Sequence, residues 1–366
     1  MEGKLFLDMH VIQTLPPSCI NRDDTGSPKT AYYGGVRRAR VSSQSWKRAM
    51  RQHFREEGRL EQGIRTKRIP ELVANEITAK DPSKSSEDAM KAAVDILALA
   101  GIGVKEAKKK KDGVSEDPAT DALMFISRKQ LELLAGYAVD SNFAQSPEKE
   151  RKAVLKEVMN NNNSPDIILF GRMLAGNTAL NVDACSQVAH AISTHKVDNE
   201  FDYYTAVDEA NKEDQAGAGM IGTIEYNSAT LYRYATVSLK GLTDQIPEKS
   251  DVLATVESYI RSFILSMPTG KQNTFANNTV PDVVLIELRS DRPVNLAGAF
   301  ENPVKQDGKG FVGPSIDALR KYREKIEAEF IGPAKGSWCI GADLGSRKSN
   351  LDDTVSDIVR VLETEL

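Results

Sequence analysis

Basic side chains are concentrated near the start of the chain, where they could bind a polyanion. Residues 21–59 carry ten basic and four acidic side chains, a local net charge of +6, and no acidic residue lies between Thr25 and Arg55. The basic residues are Arg22, Lys29, Arg37, Arg38, Arg40, Lys47, Arg48, Arg51, Arg55 and Arg59. Because most of them have no acidic neighbour in sequence, the segment predicts an electropositive surface.

The residues between these cations are of types that contact phosphate groups. Arginine offers a bidentate fork, serine and glutamine are neutral donors, and Gly34 and Gly35 would let a backbone come close to a ligand. A helix that begins near Ser43 would direct its N-terminal amides at the same place. The basic stripe on this helix could also be a solvated face, but the arginine-rich strand before it favours a polyanion site.

Two adjacent carboxylates, Asp23 and Asp24, could support metal-dependent cleavage of a phosphodiester bond. Adjacent carboxylates usually diverge, and the Asn-Arg-Asp-Asp sequence at residues 21–24 is equally typical of a loop held by its own side-chain to backbone hydrogen bonds. A metal-dependent endoribonuclease that uses Asp24, with or without Asp23, is therefore the alternative function.

Other catalytic and cofactor-binding patterns are missing from the sequence. It has no P-loop, no nucleophile elbow and no glycine-rich dinucleotide motif after a strand, so no cofactor is expected. His190 and His195 are five residues apart, which on a helix separates them by about 140° and does not suit one metal ion. The three widely spaced cysteines are typical of reduced thiols. We therefore expect neither a metal site nor an enzyme.

The composition of the whole chain is that of an ordinary globular protein. Its 366 residues are 40% hydrophobic and 27% charged, which excludes disorder throughout. The formal net charge is −4, so the residues outside 21–59 carry −10. No window holds the roughly 20 apolar residues of a membrane span, and residues 1–10 do not form a signal peptide. We expect a cytoplasmic protein with no membrane partner.

The elements around the basic segment follow from hydrophobic spacing. Residues 4–13 predict a first strand, residues 16–35 a long loop, and residues 37–42 a short strand. Residues 43–57 predict a helix. Its buried side is formed by Trp46, Ala49, Met50 and Phe54.

The remaining chain alternates between helical and strand patterns. Residues 59–163 are predicted to be helical throughout. Strands are predicted at 166–170, 230–239 and 282–288, and helices at 251–267 and from about Pro314. The last helix is expected to bury Ile316, Leu319, Ile326 and Phe330. This order predicts an α+β fold whose sheet is covered on one side.

Two segments have compositions of their own. Residues 195–226 have extended ends and a polar, glycine-rich middle, which predicts a protruding hairpin or arm. Tyr203, Tyr204 and Thr205 supply stackable and polar side chains before its tip, although a tolerated surface loop is the alternative. The lysine-rich run at residues 105–111 lacks interleaved aromatic, glycine or hydroxyl residues and favours a solvated loop.

Several segments together resemble a known family. The block PPSCINRDDTGSPKTAYYGGVRRARVSSQSWKRAMR at residues 16–51 is similar to the N-terminal signature of CasC, the repeated backbone subunit of the type I-E CRISPR Cascade complex. Further matches follow in order: FGRM at 170–173, AHAISTHKVDNEFDYYTAVD at 189–208, YRYA at 232–235 and KQNTFA at 271–276. The resemblance extends from the first strand to about residue 315.

The resemblance implies a hand-shaped α+β subunit. It implies a discontinuous ferredoxin-like, RRM-type palm at 1–58 and 164–345, an inserted helical fingers domain at 59–163, and a β-hairpin thumb at 195–228. Residues 346–366 would form a C-terminal helix. The palm lacks the aromatic pattern of ordinary RRM strands, so bases are not expected to stack on its sheet.

It also implies a role for each matching residue. RNA phosphates and sugars would be held by Arg22, Lys29, Arg37, Arg38, Arg40, Ser42, Gln44, Lys47, Arg48, Arg51, Arg172, Lys271, Gln272 and Thr274. Met173 would press on bases at a kink, together with Tyr204 and Thr205 on the thumb. Val36 departs from the family, since some relatives have a basic residue there.

The implied function is a non-catalytic subunit that binds the crRNA spacer. Copies would stack head to tail into a helical filament, kink the crRNA at intervals and leave bases free to pair with a complementary target DNA strand in antiviral defence. The implied partners are the crRNA, other copies of the chain, the large and small Cascade subunits, and the subunits that bind the 5′ and 3′ ends of the crRNA.

Overall fold

The computed structural model describes residues 4–105, 117–174, 176–206 and 220–366. They divide into two units. Unit 1 comprises Met1–Glu56, Gln187–Lys240 and Val256–Leu366. Unit 2 comprises Glu57–Ser186 and Gly241–Thr255. The fold is α+β, as predicted.

The strands and helices below are numbered in chain order. The strands are Phe6–Ser18 (β1), Thr30–Tyr33 (β2), Val36–Val41 (β3), Ile64–Thr66 (β4), Val104–Lys105 (β5), Ala119–Thr120 (β6), Met124–Ile126 (β7), Ser186–Val188 (β8), Ala191–Ser193 (β9), Glu200–Ala206 (β10), Met220–Ser238 (β11), Val283–Arg289 (β12), Gly336–Ile340 (β13) and Arg347–Lys348 (β14). The α-helices are Ser43–Glu57 (α1), Ile69–Lys80 (α2), Ser86–Leu99 (α3), Arg128–Val139 (α4), Ser141–Gln145 (α5), Glu148–Asn161 (α6), Pro165–Phe170 (α7), Leu239–Gln245 (α8), Lys249–Leu265 (α9), Gln272–Phe275 (α10), Val312–Ile326 (α11) and Leu351–Glu365 (α12).

A large mixed sheet organises unit 1. Its main path runs β14-β13-β12-β1-β11-β9-β3-β2. β1 lies between two antiparallel neighbours, with Met9 opposite Ala235 of β11 and Ile286 of β12. Only β13 and β14 are paired in parallel along this path. β1 is paired along both edges and is buried on both faces.

Helices cover both faces of this sheet, and the expectation of a one-sided cover is therefore wrong. Alternate residues of a strand point to opposite faces. Tyr232 and Tyr234 of β11 pack in one cluster with Leu319 of α11, whereas Leu231 packs in another cluster with Trp46 of α1. The sequence pattern did not reveal this because the buried part of β11 includes the polar residues Thr230, Arg233 and Thr236.

Helix α1 begins and ends as predicted and buries the four expected side chains. The first strand, the strands near 37–42 and 282–288, and the helices near 251–267 and 314 are also confirmed within a few residues. The strand predicted at 230–239 is confirmed at its end, but it begins ten residues earlier, at Met220. The predicted loop at 16–35 is shorter, because β1 extends to Ser18 and β2 begins at Thr30.

Unit 2 is mainly helical, but not throughout. α2, α3, α4 and α6 pack around a core of aliphatic side chains. Short strands interrupt the helices: β4 pairs with β7, and β5 pairs with β6. Of the lysine-rich run, Lys105 ends β5, and the rest of the run lies outside the described residues.

Two sequence predictions of local structure are wrong. Residues 166–170 form helix α7 and not a strand, because Ser164 and Pro165 start a helix and the apolar run that follows fits either structure. Phe330 is 73% exposed and not buried. It lies in a π-helical segment, Glu327–Ile331, that follows α11, so the helical phase expected from the sequence is lost there.

The expected hairpin is formed by β10 and the first part of β11. Glu200 pairs with Tyr226 and Ala206 with Met220, in continuous antiparallel register. Its extended ends are confirmed, and residues 207–219 lie outside the described residues.

Within the described part of the chain, no helix has the length and apolar character needed to cross a bilayer.

Candidate nucleic-acid interface

The loop after β1 is held by its own side chains. Asp23 Oδ1 accepts hydrogen bonds from the Thr25 amide (3.0 Å), the Thr25 hydroxyl (2.7 Å) and the Ser27 amide (3.1 Å). The hydroxyl of Thr25 is the main cause of the lowered pKa of Asp23. The side chain of Asn21 accepts a hydrogen bond from the Ser42 amide (2.9 Å), just before α1. The loop is thereby tied to the start of the basic helix.

Helix α1 is fixed to the sheet by a buried arginine. The guanidinium of Arg233 on β11 lies 3.8 Å from the centre of the Trp46 ring and 4.7 Å from that of Phe263 on α9. It donates to Gln13 Oε1 (2.5 Å) and to the carbonyl of Phe263. Burial lowers the pKa of Arg233 to about 9. Trp46 precedes Lys47 and Arg48, so this stack orients the residues expected to face a ligand.

Gln13 also holds the segment that ends at Thr279. Gln13 Nε2 donates to the carbonyl (2.9 Å) and hydroxyl (3.1 Å) of Thr279. The segment before Thr279 passes so close to the first loop that a Cβ on Gly270 would lie 2.3 Å from the carbonyl oxygen of Ile20. Lys271 follows in the left-handed region (φ 51°). Residues 268–271 are therefore held against the loop after β1.

These segments enclose a cleft of about 660 Å³ within unit 1. We call it the basic cleft. It is lined by Ile20, Asn21, Arg22, Asp23, Asp24, Thr25, Gly26, Ser45, Arg48, Ala49, Gln52, Pro268, Thr269, Gly270 and Lys271. Three cations that are distant in sequence, Arg22, Arg48 and Lys271, meet here with two carboxylates. The lining otherwise offers hydroxyl and amide groups, which suit phosphate and sugar oxygens.

Further predicted contacts lie on the β2–β3 hairpin. Arg37 is exposed, and Lys29 and Arg40 are partly buried. Arg40 donates to the carbonyl of Thr30 (3.2 Å) and lies 3.3 Å from Nδ1 of His190. Burial and the charges of Arg40 and Lys29 lower the pKa of His190, which favours the neutral imidazole at pH 7. The hairpin thus adds positive charge beyond the cleft.

Two predicted contacts in this segment are buried. Arg38 has no exposed surface, and its guanidinium donates to the carbonyls of Tyr33 (3.2 Å), Ser193 (3.0 Å) and Phe300 (2.8 Å). Ser42 is 6% exposed. Arg38 therefore stabilises the fold of unit 1, and we leave both residues out of the surface that could meet a ligand.

On α1 and α10 the predicted residues differ in exposure. Gln44 and Arg48 are exposed, whereas Lys47 and Arg51 are partly buried. Desolvation lowers the pKa of Lys47. On α10, Gln272 is partly buried and Thr274 is exposed. Sequence reasoning missed Asn21, Ser45, Gln52 and Thr269, which are neutral residues of the cleft next to the predicted cations.

Arg172 and Met173 belong to unit 2 and face different environments. The guanidinium of Arg172 is buried and donates to the carbonyls of Met159 (2.7 Å) and Leu180 (2.9 Å). Burial lowers its pKa to about 10. Met173 is 86% exposed. Arg172 thus stabilises the core of unit 2 and presents Met173 at the surface.

The two predicted thumb residues lie on opposite faces of the β10–β11 hairpin, because successive strand residues alternate. Tyr204 is opposite Gly222, and its ring covers that glycine so closely that a Cβ there would lie 2.4 Å from the phenol. Thr205 is exposed on the other face. Phe201, Tyr203 and Ile221 are also largely exposed and share the face of Thr205, so that face offers apolar surface.

The possibility of a metal-dependent nuclease has limited support from the geometry. Asp23 is engaged in its own loop, whereas Asp24 is exposed in the lining of the basic cleft. Across the described residues, no three His, Cys, Asp or Glu side chains come together in a way that could hold a metal ion.

This fold is similar to that of chains from CRISPR RNA-guided surveillance complexes. One solved chain, from a "CRISPR RNA-guided surveillance complex, pre-nicking", matches with a TM-score of 0.81 and 32% identity, over 98% of this chain and 100% of that one. A second, from a "CRISPR RNA-guided surveillance complex", matches with a TM-score of 0.70 and 28% identity, over 96% of this chain and 99% of that one. No curated protein sequence matches the chain.

The chain belongs to the CT1975-like protein family, whose profile it matches over residues 7–360. Together with the solved structures, this confirms the resemblance to the backbone subunits of Cascade that the sequence motifs indicated.

Proposed function

We propose that this protein is a non-catalytic backbone subunit of a type I-E CRISPR surveillance complex, in which several copies form a helical filament along the crRNA. The observation that carries the proposal is the basic cleft, where Arg22, Arg48 and Lys271 come together from three segments. The family and the similar surveillance-complex chains support it.

The cations and polar groups of the proposed interface bind the RNA backbone and do not read the identity of its bases. In unit 1 it comprises Arg22, Lys29, Arg37, Arg40, Gln44, Lys47, Arg48, Arg51, Lys271, Gln272 and Thr274. Phosphates carry no sequence information, so such a surface can serve guides of any sequence. Arg38, Ser42 and Arg172 are outside this set because they are buried.

The sheet and the hairpin of unit 1 support the assignment of palm and thumb. We assign 1–58 and 164–345 to an RRM-type palm, 59–163 to the fingers, 195–228 to the thumb and 346–366 to the C-terminal helix. The thumb kinks the crRNA at intervals. Because Tyr204 and Thr205 lie on opposite faces, only one of them presses on a given base, and Met173 presses on a base as well.

The partners follow from this role. They are the crRNA, the complementary strand of a target DNA, other copies of this chain and the remaining Cascade subunits. The complex would assemble in the cytoplasm. Bases between the kinks stay free to pair with the target, so sequence recognition is carried by base pairing and not by this subunit.

Replacing Arg48 with alanine tests the cleft. We expect weaker binding of every single-stranded RNA sequence alike, because one phosphate contact is lost. The plot of log K against log salt should become shallower by about 0.7, the value for one phosphate on a single strand. Fluorescence anisotropy of the full chain with labelled RNAs of different sequence measures both effects.

Arg55→Ala is the matched control for Arg48→Ala. Arg55 is an exposed arginine on the same helix that does not line the cleft, so its replacement should leave the salt dependence unchanged. Equal slopes for the two variants, or a loss of affinity restricted to certain sequences, would contradict the proposed interface.

The alternative, a metal-dependent endoribonuclease, is favoured only by the exposed position of Asp24 in the cleft. Incubation of the assembled complex with complementary RNA and Mg²⁺ decides between the two. We expect the RNA to stay intact, with the wild type and with Asp24→Ala alike. Regularly spaced cleavage that Asp24→Ala abolishes would overturn the non-catalytic assignment.

A further inference from the structure

Tyr32 is an exposed aromatic side chain inside the acid-free basic segment. It is 76% exposed, more than any other large aromatic residue in the described part of the chain. It lies on β2, the end strand of the main path of the sheet in unit 1. No other large hydrophobic side chain in residues 4–59 is exposed, so Tyr32 does not belong to a broad apolar patch.

The opposite face of the same hairpin is rigidly held. The hydroxyl of Tyr33 donates to the carbonyl of Ala297 (3.2 Å), and Arg38 donates to the carbonyl of Phe300 (2.8 Å). Gly34, at the turn, has φ 58°, and a Cβ there would lie only 1.6 Å from the carbonyl oxygen of Glu301. The hairpin is therefore packed tightly against residues 297–301, and its outer face has a fixed orientation.

That outer face pairs the aromatic ring with a cation. Tyr32 lies directly opposite Arg37 in the antiparallel register, so the two side chains emerge on the same face, with Cβ atoms about 5 Å apart. Both are exposed. Lys29 and Arg40 add positive charge on the other face of the hairpin, and Asp23 and Asp24 are the nearest acidic residues in sequence.

An exposed ring beside an arginine fits one nucleotide of a single-stranded nucleic acid. The guanidinium can hold the phosphate, and the phenol ring can stack on the base, which every nucleobase permits because each has a π-face. A protein partner is less suited, because the outer face of the hairpin offers only one large apolar side chain, beside the cation Arg37.

We infer that Tyr32 is a base-stacking residue of the RNA-binding surface, and that with Arg37 it forms a one-nucleotide site on the outer face of the β2–β3 hairpin. The inference rests on the proposed function, because the strand bound there is the one held by the basic cleft. The stacked ring adds a contact that does not depend on charge. It can form with any base in the sequence.

Tyr32→Ala tests this with the full chain and labelled single-stranded RNA. Loss of one stacked base is expected to weaken binding about 5- to 150-fold at every salt concentration, with no change in the salt slope. Tyr32→Phe keeps the ring and should bind like the wild type. Arg37→Ala should instead make the slope shallower by about 0.7.

An RNA analogue with abasic nucleotides separates stacking from other effects. Wild type and Tyr32→Ala should bind this strand equally, because no base is present to stack. An equal loss on abasic and normal RNA, or unchanged RNA affinity with impaired assembly of several copies, would overturn the inference and assign Tyr32 to a protein contact.

The proposed function can be judged separately. If Arg48→Ala lowers the salt slope as expected while Tyr32→Ala binds like the wild type, only the stacking site is wrong. If Arg48→Ala and Arg37→Ala both leave the slope unchanged, the proposed RNA surface itself is wrong.

Discussion

Replacement of Arg38 with methionine is expected to lower the free energy of unfolding by about 4 kcal/mol. Its guanidinium is fully buried and donates to carbonyls from three segments, at Tyr33, Ser193 and Phe300. Methionine has a similar length but no donor, so buried carbonyls lose their partners, at about 1–3 kcal/mol each. The melting temperature should fall by about 10 °C, and thermal unfolding followed by circular dichroism measures it.

Arg37→Met is the matched control, since Arg37 is the exposed neighbour of Arg38 on the same strand. It should change stability by less than about 0.5 kcal/mol but make the salt dependence of RNA binding shallower. Arg38→Met should lower the stability but leave the salt dependence of RNA binding unchanged, when binding is measured below the melting temperature of the variant. A stable Arg38→Met variant with a shallower slope would show that Arg38 contacts RNA and not the fold.

Replacement of Arg233 with methionine is expected to weaken RNA binding from a distance and to destabilise unit 1 by about 3 kcal/mol. Arg233 stacks on Trp46 at 3.8 Å and donates to Gln13, which in turn holds Thr279. The variant leaves Gln13 Oε1 and the Phe263 carbonyl without a donor. Both walls of the basic cleft depend on this stack, so Arg48 and Lys271 should lose their common geometry.

Arg233→Lys provides the graded comparison. Lysine keeps the charge but not the planar group that stacks on Trp46 and Phe263, so it should recover part of the stability and little of the RNA affinity. Urea unfolding gives the stability, and anisotropy at concentrations where the protein is folded gives the affinity. If folded Arg233→Met binds RNA with the affinity of the wild type, Arg233 does not position the residues of the basic cleft.

The sequence predicted α1 to the residue because its signals are local. Apolar side chains recur at helical spacing from Trp46 to Phe54, and the serines before them favour a helix start. The strand prediction for residues 166–170 was wrong because the local signals there are ambiguous. Five mostly apolar residues satisfy a strand and a buried helix equally well, and the Ser-Pro start at residues 164–165 decided for a helix.

The candidate site was predictable in its composition but not in its orientation. Alternation along β3 requires Arg37 and Arg38 to face opposite ways, yet the sequence does not say which one points inward. That choice is made by carbonyls at Ser193 and Phe300, which are more than 150 residues away. The burial of Arg172 could not be predicted either, since the carbonyls of Met159 and Leu180 that accept its hydrogen bonds come together only when unit 2 is folded.

The continuity of β11 has a consequence for how the arm resists unfolding. One strand of 19 residues runs from the exposed hairpin into the middle of the sheet, where Thr230–Ser238 pair with β1. Amide hydrogens near Tyr234 should exchange only with global opening, whereas those near Met220 are protected by β10 alone. Exchange should therefore accelerate gradually from Tyr234 to Met220. An arm anchored in this way opens first near Met220 and stays attached to the core through the pairing of Thr230–Ser238 with β1.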